Sequence, residues 1–426
     1  MHAGTGFLRA GDFAAAARDF RRALETRPHH PGTLQTLAGV LLRAGKPEEA
    51  CSAFDRLTRL APGMSEAWHG LGLARHAKGN HAGALLAFRH SVRVAPTSWR
   101  SWQSIADITP SEAERRAAIR QACQSLKDAA GRDPHKIMSY VNALRDAHDF
   151  SRMAAFIEAN WTRFPSRAQA YERHAHALYN MGHYSDAFVQ MKEALKATTE
   201  GPSQRVVNSS RFTPSAATDA LQAVYNILTG AGLVCFPAAG TLLGLVRTGA
   251  PLAHDRDIDI GVLQQDGRRP DIAGLIRRHP ALILERRARP GDRYFALNYQ
   301  GIAVDIFLYT PIGEHVVCGF SDRRGDIAWR YARFGLCKAR FGRFAWPVPE
   351  NAEHYLAQTY GPGWSEPDPG FASVVSAPAL YPTNPYARAF YAAGRARRSL
   401  LAGDADRARA LAARSPLPLM EDLSTL

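Results

Sequence analysis

The chain has 426 residues, 46% of them hydrophobic and 22% charged, an ordinary water-soluble balance with enough apolar mass for two or three packed domains. A formal net charge of +14 points to anionic partners (nucleic acid, a phosphate-rich donor, an acidic glycan, the inner membrane surface) or to an Arg-rich solvated exterior. Cys51, Cys123, Cys235, Cys318 and Cys337 are scattered and form no C-x-x-C pair, which argues against a disulfide framework and fits a reducing cytoplasm.

The first part of the chain is periodic. Gly11, Gly45 and Gly79 stand 34 residues apart, as do Ala16, Ala50 and Ala84, Phe20, Phe54 and Phe88, and Pro28, Pro62 and Pro96. Small Ala suits the contact between paired helices, Phe fills the next layer, Gly turns and Pro ends each unit. The copy Trp68-x-x-Leu71-Gly72, Ala84-x-x-x-Phe88, Pro96 resembles the tetratricopeptide repeat, with Arg75 where that pattern has Tyr. The frame blurs from Ser98 to Pro134 and returns at His148 and Gly182, so five or six helical hairpins are expected to stack into a solenoid over residues 1–198. Such a surface binds a protein or peptide partner, and it is expected to be separable from any chemistry elsewhere.

Residues 199–210 are polar and read as a linker. The formal glycosylation sequon at Asn208 is taken as chance. Ala223 to Val246 carries no charge, but its Gly and Pro residues break it into helix, turn, strand and turn, so no membrane span is expected. Helices are expected at Ser215–Thr229, Thr241–Val246, Asp271–Arg278 and Asn351–Tyr360. Strands are expected at Leu233–Phe236, Leu252–Val262, Leu282–Glu285, Tyr294–Tyr299 and Ile302–Tyr309. Residues 211–385 thus form a mixed domain. Residues 386–426 read as a helical hairpin, because Gly403 and Ala408 repeat the Gly-to-Ala offset of the solenoid.

The chemistry concentrates in FPAAGTLLGLVRTGAPLAHDRDIDIGV, from Phe236 to Val262. Asp255, Asp257 and Asp259 alternate with Arg256, Ile258 and Ile260. On a strand that spacing places the carboxylates on one face and the isoleucines in a core. Asp305, in GIAVDIFLYT, lies in a second apolar run that a neighbouring strand could bring alongside. Clustered anions need a counter-charge, and a hard divalent cation, Mg²⁺ or Mn²⁺, is the expected ligand of Asp255, Asp257, Asp259 and Asp305. Gly240 permits close backbone approach to a phosphate, Thr241 offers a hydroxyl and Arg247 a cation.

Four ordered blocks carry a resemblance. They are Gly240-Thr241-Leu242-Leu243-Gly244-Leu245-Val246-Arg247, Asp255-Arg256-Asp257-Ile258-Asp259-Ile260, Val304-Asp305-Ile306-Phe307 and Tyr360-Gly361-Pro362-Gly363-Trp364-Ser365-Glu366-Pro367. Together they resemble the LicD/fukutin-related family of the nucleotidyltransferase superfamily. The departures are Ala253-His254 for Pro-Trp and one added residue before Trp364. The resemblance implies a multidomain protein, an all-α repeat solenoid followed by an α+β nucleotidyltransferase-fold domain and the short hairpin. It also implies transfer of a substituted phosphate, such as phosphocholine or a polyol phosphate, from a CDP-alcohol donor to a glycan hydroxyl. In that reading Asp257 and Asp259 hold the metal, and Asp305 completes the site or takes the acceptor proton. Gly240, Thr241 and Arg247 bind substrate. A cytoplasmic location, or one peripheral to the inner membrane face, is expected, and nucleic acid is not an expected partner. Two rivals share the acidic triad: nucleotidyl transfer to protein or RNA with pyrophosphate release, and a repeat scaffold whose second domain binds nucleotide without turnover.

Overall fold

The computed structural model describes residues 12–199, 212–265 and 267–420. Gly11, nearly all of the expected linker and the Asn208 sequon lie outside the described residues. Two compact units divide the chain: one runs to Ala143 and takes in Arg277–Ala281, and the other comprises Leu144–Ile276 and Leu282–Leu426. The division therefore falls inside the helical repeats and not at the linker expected near 199–210.

The first unit is helical. Its hairpins pair α2 (Pro31–Arg43) with α3 (Pro47–Leu60), and α4 (Ser65–Ala77) with α5 (His81–Val94), preceded by α1 (Phe13–Thr26). The 34-residue period has a direct physical origin. Gly45 and Gly79 hold φ of 71° and 77°, a left-handed turn that ends one helix. Asn80 then caps the next helix, accepting from the Gly83 N–H at 2.9 Å. Ala16, Ala50 and Ala84 are fully buried at the helix contacts, with Phe20, Phe54 and Phe88 packed beside them. Where the sequence pattern blurs, α6 (Trp99–Ile108) pairs with a 21-residue helix α7 (Glu112–Arg132), longer than the repeat allows. Next in chain order is α8 (Ile137–Asp146).

The second unit combines helices and sheet. Its repeat-like helices are α9 (Phe150–Ala159), α10 (Arg167–Asn180) and α11 (Tyr184–Thr199). The uncharged segment resolves into α12 (Pro214–Gly230), β1 (Val234–Pro237) and α13 (Ala239–Thr248); among the described residues no helix is long and apolar enough to cross a membrane. Then follow β2 (Asp257–Leu263), α14 (Ile272–Arg278), β3 (Leu282–Leu284), β4 (Tyr294–Tyr299) and β5 (Ile302–Ile312). The chain after them continues as strands, giving β6 (His315–Gly319), β7 (Ala328–Ala332) and the separate hairpin β8 (Leu336–Phe341) with β9 (Phe344–Pro349). In the main sheet the order is β1-β2-β5-β4-β3, with β6 on β5 and β7 on β6. The β2–β5 pairing is parallel and the remaining pairings are antiparallel.

Helix α15 (Ala352–Tyr360) begins where Asn351 caps the His354 N–H at 2.9 Å, and the short α16 (Ser373–Ser376) follows. The chain closes on α17 (Pro385–Leu401) and α18 (Ala405–Ala413). Their turn reproduces a repeat: Gly403 at φ 81°, Asp404 capping Arg407 at 3.0 Å, and Ala408 fully buried. Helix α17 packs on α11 as a further repeat would. Arg397, almost wholly buried, fixes it there, meeting Glu172 at 3.1 Å and donating to Thr198 Oγ1 at 2.9 Å.

Candidate functional site

Strands β2 and β5 set the floor of the site. Ile258 and Ile260 are 0% exposed, so their faces of β2 point into the core and Asp257 and Asp259 take the opposite face. The parallel register aligns Asp259 with Asp305 and Ile258 with Val304. Residues in register on paired strands share a face about 5 Å apart, so the Asp259 and Asp305 carboxylates are neighbours. On β4 the small Ala296 lies opposite Asp305. Beside it, Tyr294 donates its hydroxyl to Asp305 Oδ1 at 3.0 Å.

The electrostatics follow from placing anions side by side in a low-dielectric wall. Burial pushes the Asp259 carboxyl well above its ordinary range, and the charges of Asp257, Asp305 and Asp255 push further; the Gly240 N–H opposes them. Burial and the Asp257 charge bring Asp305 to about 7, against the Tyr294 hydrogen bond. Asp255 rises to about 6, chiefly through burial, with His254 pulling down and Asp257 pushing up. Asp257 is raised by burial too, and the largest opposing charge is that of Arg395. A set of hard oxygen donors that destabilise one another suits a hard divalent cation. Among the described residues no three His, Cys, Asp or Glu side chains already form a closed ligand set. A cation here would draw carboxylates of the shared face together.

Gly240 sits where expected, against the carboxylates, and its N–H donates to Asp259 Oδ2 at 3.0 Å. A Cβ at this position would stand 3.2 Å from that same oxygen, so glycine leaves the approach open. Ala239 before it has φ 40°, a left-handed conformation rare without glycine, and its N–H donates to Tyr355 Oη at 3.3 Å. Tyr355 is held in turn by Tyr309, their hydroxyls 2.7 Å apart. A strained backbone turn is thus braced by buried tyrosines beneath the carboxylates.

Three expectations need correction. Asp255 is not on the strand: β2 begins at Asp257, and Asp255 follows a turn at Ala253-His254. It still faces the same cavity. Thr241 is 1% exposed, and its hydroxyl accepts from the Asp259 N–H at 2.7 Å, so it anchors the strand and does not face the cavity. The Arg247 guanidinium donates to the carbonyls of Trp364 and Glu366, the latter at 2.7 Å. It clamps the distal Gly/Pro-rich turn to α13 and lies outside the cavity lining. The two sequence blocks flanking the carboxylates are therefore joined to each other.

Above the floor lies a cavity of about 850 Å³. Its acidic end is Asp255, Asp257, Asp259 and Asp305 with Gly240, and its aromatic wall includes Phe307, Tyr309 and Tyr360. The remaining wall comes from the helices. His148, in the turn before α9, reaches it with φ 60° at the position glycine holds in other repeats, and its Nε2 donates to the Arg287 carbonyl at 2.7 Å. Tyr179 and Asn180 end α10. Tyr179 donates to Asp326 Oδ1 at 2.5 Å, and Arg323 donates to the Asn180 carbonyl at 2.7 Å. Tyr391, Arg395 and Arg398 arrive from α17. Reading the sequence missed this wall, because nothing local in a repeat marks the residues that look into a cavity. The aromatic side had a usable signal: Phe307 and Tyr309 follow Asp305 at two-residue steps and share its face.

Comparison with known proteins finds two separate matches along the chain. Residues 7–76 match the family model for the tetratricopeptide repeat, and residues 232–351 match the LicD/FKTN/FKRP nucleotidyltransferase domain. The mouse (Mus musculus) ribitol-5-phosphate transferase FKTN is 27% identical over 156 residues, 35% of this chain and 33% of that protein. The same protein of Macaca fascicularis is 25% identical over 181 residues, 41% of this chain and 39% of its own length. The alignments therefore span between a third and two fifths of these relatives. Among solved structures, YrrB, described as a TPR protein with an unusual peptide-binding site, is 15% identical over 42% of this chain and 93% of its own, with a TM-score of 0.33. MamA is 18% identical over 47% and 96%, with a TM-score of 0.27.

Proposed function

We propose that this protein transfers a substituted phosphate from a CDP-alcohol to a sugar hydroxyl of a glycan, with the β2–β5 carboxylates as its catalytic centre. The observation that carries the reading is the parallel register setting Asp259 beside Asp305, with Asp257 on the same face, in a segment that matches the LicD/FKTN/FKRP domain. Because the matched relatives are ribitol-5-phosphate transferases, ribitol phosphate heads the candidate groups, with phosphocholine and other polyol phosphates behind it.

The acceptor oxygen forms a bond to the distal phosphorus of the donor while the bridging P–O bond breaks. CMP leaves with that electron pair. Asp305, oriented by Tyr294, accepts the proton of the attacking hydroxyl. Asp257 and Asp259, with Asp255 beside them, are the residues that would hold Mg²⁺ or Mn²⁺. Such a cation offsets the charge of the diphosphate. The Gly240 turn lets the donor approach the floor closely. The repeats supply a surface for a protein or peptide partner that targets the reaction.

The test is to incubate the full chain with Mg²⁺, a sugar acceptor and CDP-ribitol, CDP-glycerol or CDP-choline, and to follow CMP. Acceptor-dependent CMP release with no pyrophosphate from ATP or CTP is expected. Pyrophosphate release with a nucleotide left on the acceptor would replace this reading by nucleotidyl transfer.

A further inference from the structure

The acidic floor repels the phosphates that the proposed reaction must seat, and the cavity holds a cation that the fold leaves without a partner. Arg395 lies on α17, on the cavity wall contributed by the C-terminal hairpin. Its Nε is buried with no hydrogen-bond partner, and among the described residues its guanidinium makes no hydrogen bond or ion pair. Its neighbours on the helix are otherwise engaged: Arg397 meets Glu172, and Arg388 donates to the Val375 carbonyl at 2.6 Å. Arg398, one turn further on, also lines the cavity and is more exposed.

Leaving the buried Nε–H unsatisfied is costly, because that donor loses water and gains no partner. Asp257 and Arg395 both line the cavity, yet among the described residues no ion pair joins them. Space therefore remains between the arginine and the carboxylate floor. A planar fork of donors on the cavity wall matches the two oxygens of a phosphate or carboxylate.

We propose that Arg395 is an anion-binding residue of the cavity, delivered by the repeat-like C-terminal hairpin, and that it grips a phosphate or carboxylate group of a substrate across from Asp257. The proposal rests on the cavity being the reaction site. The anion has two sources, the diphosphate of the donor or an acidic group on the glycan acceptor.

The experiment titrates the full-length protein with inorganic pyrophosphate in EDTA by calorimetry, so that no metal bridges the ligand to the carboxylates. Wild type binds; Arg395→Gln weakens binding tenfold or more; Arg395→Lys, which keeps the charge but loses the fork and should preserve the fold, weakens it by a smaller factor. Absence of wild-type binding, or equal affinity in wild type and both variants, overturns the proposal and leaves Arg395 as a distant counter-charge to Asp257. Steady-state kinetics then separate the sources. A raised KM for the CDP-alcohol alone assigns the anion to the donor, and a raised KM for the acceptor alone assigns it to an acidic glycan. If wild type turns over no CDP-alcohol, the transfer reading fails while the pyrophosphate titration still decides the role of Arg395.

Discussion

The floor and the helical wall of the cavity are built on opposite principles. On the floor, like charges are forced together by the two-residue period of adjacent strands, and the isoleucines behind them make that register costly to shift. On the wall, single polar groups arrive from α10 and α17, more than 200 residues apart in the chain, and are fixed by long-range bonds such as Arg397 to Glu172. The difference teaches where each kind of group comes from. A strand concentrates one charge sign locally, whereas the complementary groups are gathered by tertiary stacking.

The largest effect is expected on the floor. Asp259→Asn should reduce turnover by roughly a thousandfold, because it removes a central carboxylate from a cooperating set. In steady-state CMP release, retention of full rate would show that the carboxylate cluster is not the reaction centre. The same cluster predicts a pH dependence of stability in EDTA. Asp255 and Asp305 are raised to about 6 and about 7, so the folded state binds more protons than the unfolded state from their ordinary values upward. Stability should therefore fall as pH rises from about 4 to about 7. Asp305→Asn should melt higher than wild type at pH 8, with the gain vanishing near pH 4.

The wall should break next. Arg397→Met removes the link between α17, Glu172 and Thr198 and leaves Glu172 without its partner, and is expected to cost about 3 kcal/mol in denaturant unfolding. An unchanged midpoint would mean that apolar packing alone holds the hairpin. On the floor again, Tyr294→Phe should lower the rate about tenfold with little change in donor KM, the loss of one hydrogen bond to a charged group. Smallest is Tyr179→Phe, which strips one donor from the buried Asp326 and should cost about 1 kcal/mol in the same unfolding assay.

The same contrast explains what was legible in the sequence. The repeat period, the alternation of Asp257 and Asp259 with isoleucine, and the offset from Gly403 to Ala408 are short-range patterns, and each corresponds to a feature of the fold. The roles of Thr241 and Arg247 were not readable. Residue type announced a hydroxyl and a cation, but their partners, the Asp259 N–H and the carbonyls of Trp364 and Glu366, lie 18 to 119 positions away. Asp255 shows a subtler limit, since strict alternation cannot reveal that a turn precedes the strand. His148 and Arg395 look like ordinary surface residues of a repeat until the helices are placed against β4 and the floor.

The position of the wall along the chain also has a consequence for biosynthesis. Polypeptides emerge from the ribosome N-terminal end first, and domains generally fold as they appear. The repeats and the carboxylate floor are complete once Ile312 has been made, but the cavity lacks Tyr391, Arg395 and Arg398 until synthesis has passed α17. During that interval the nascent chain presents its cluster of acids with one side open to solvent. The cavity wall is thus completed late, and a chain interrupted before Leu401 would carry the acidic motif and the N-terminal repeats but not the wall from α17.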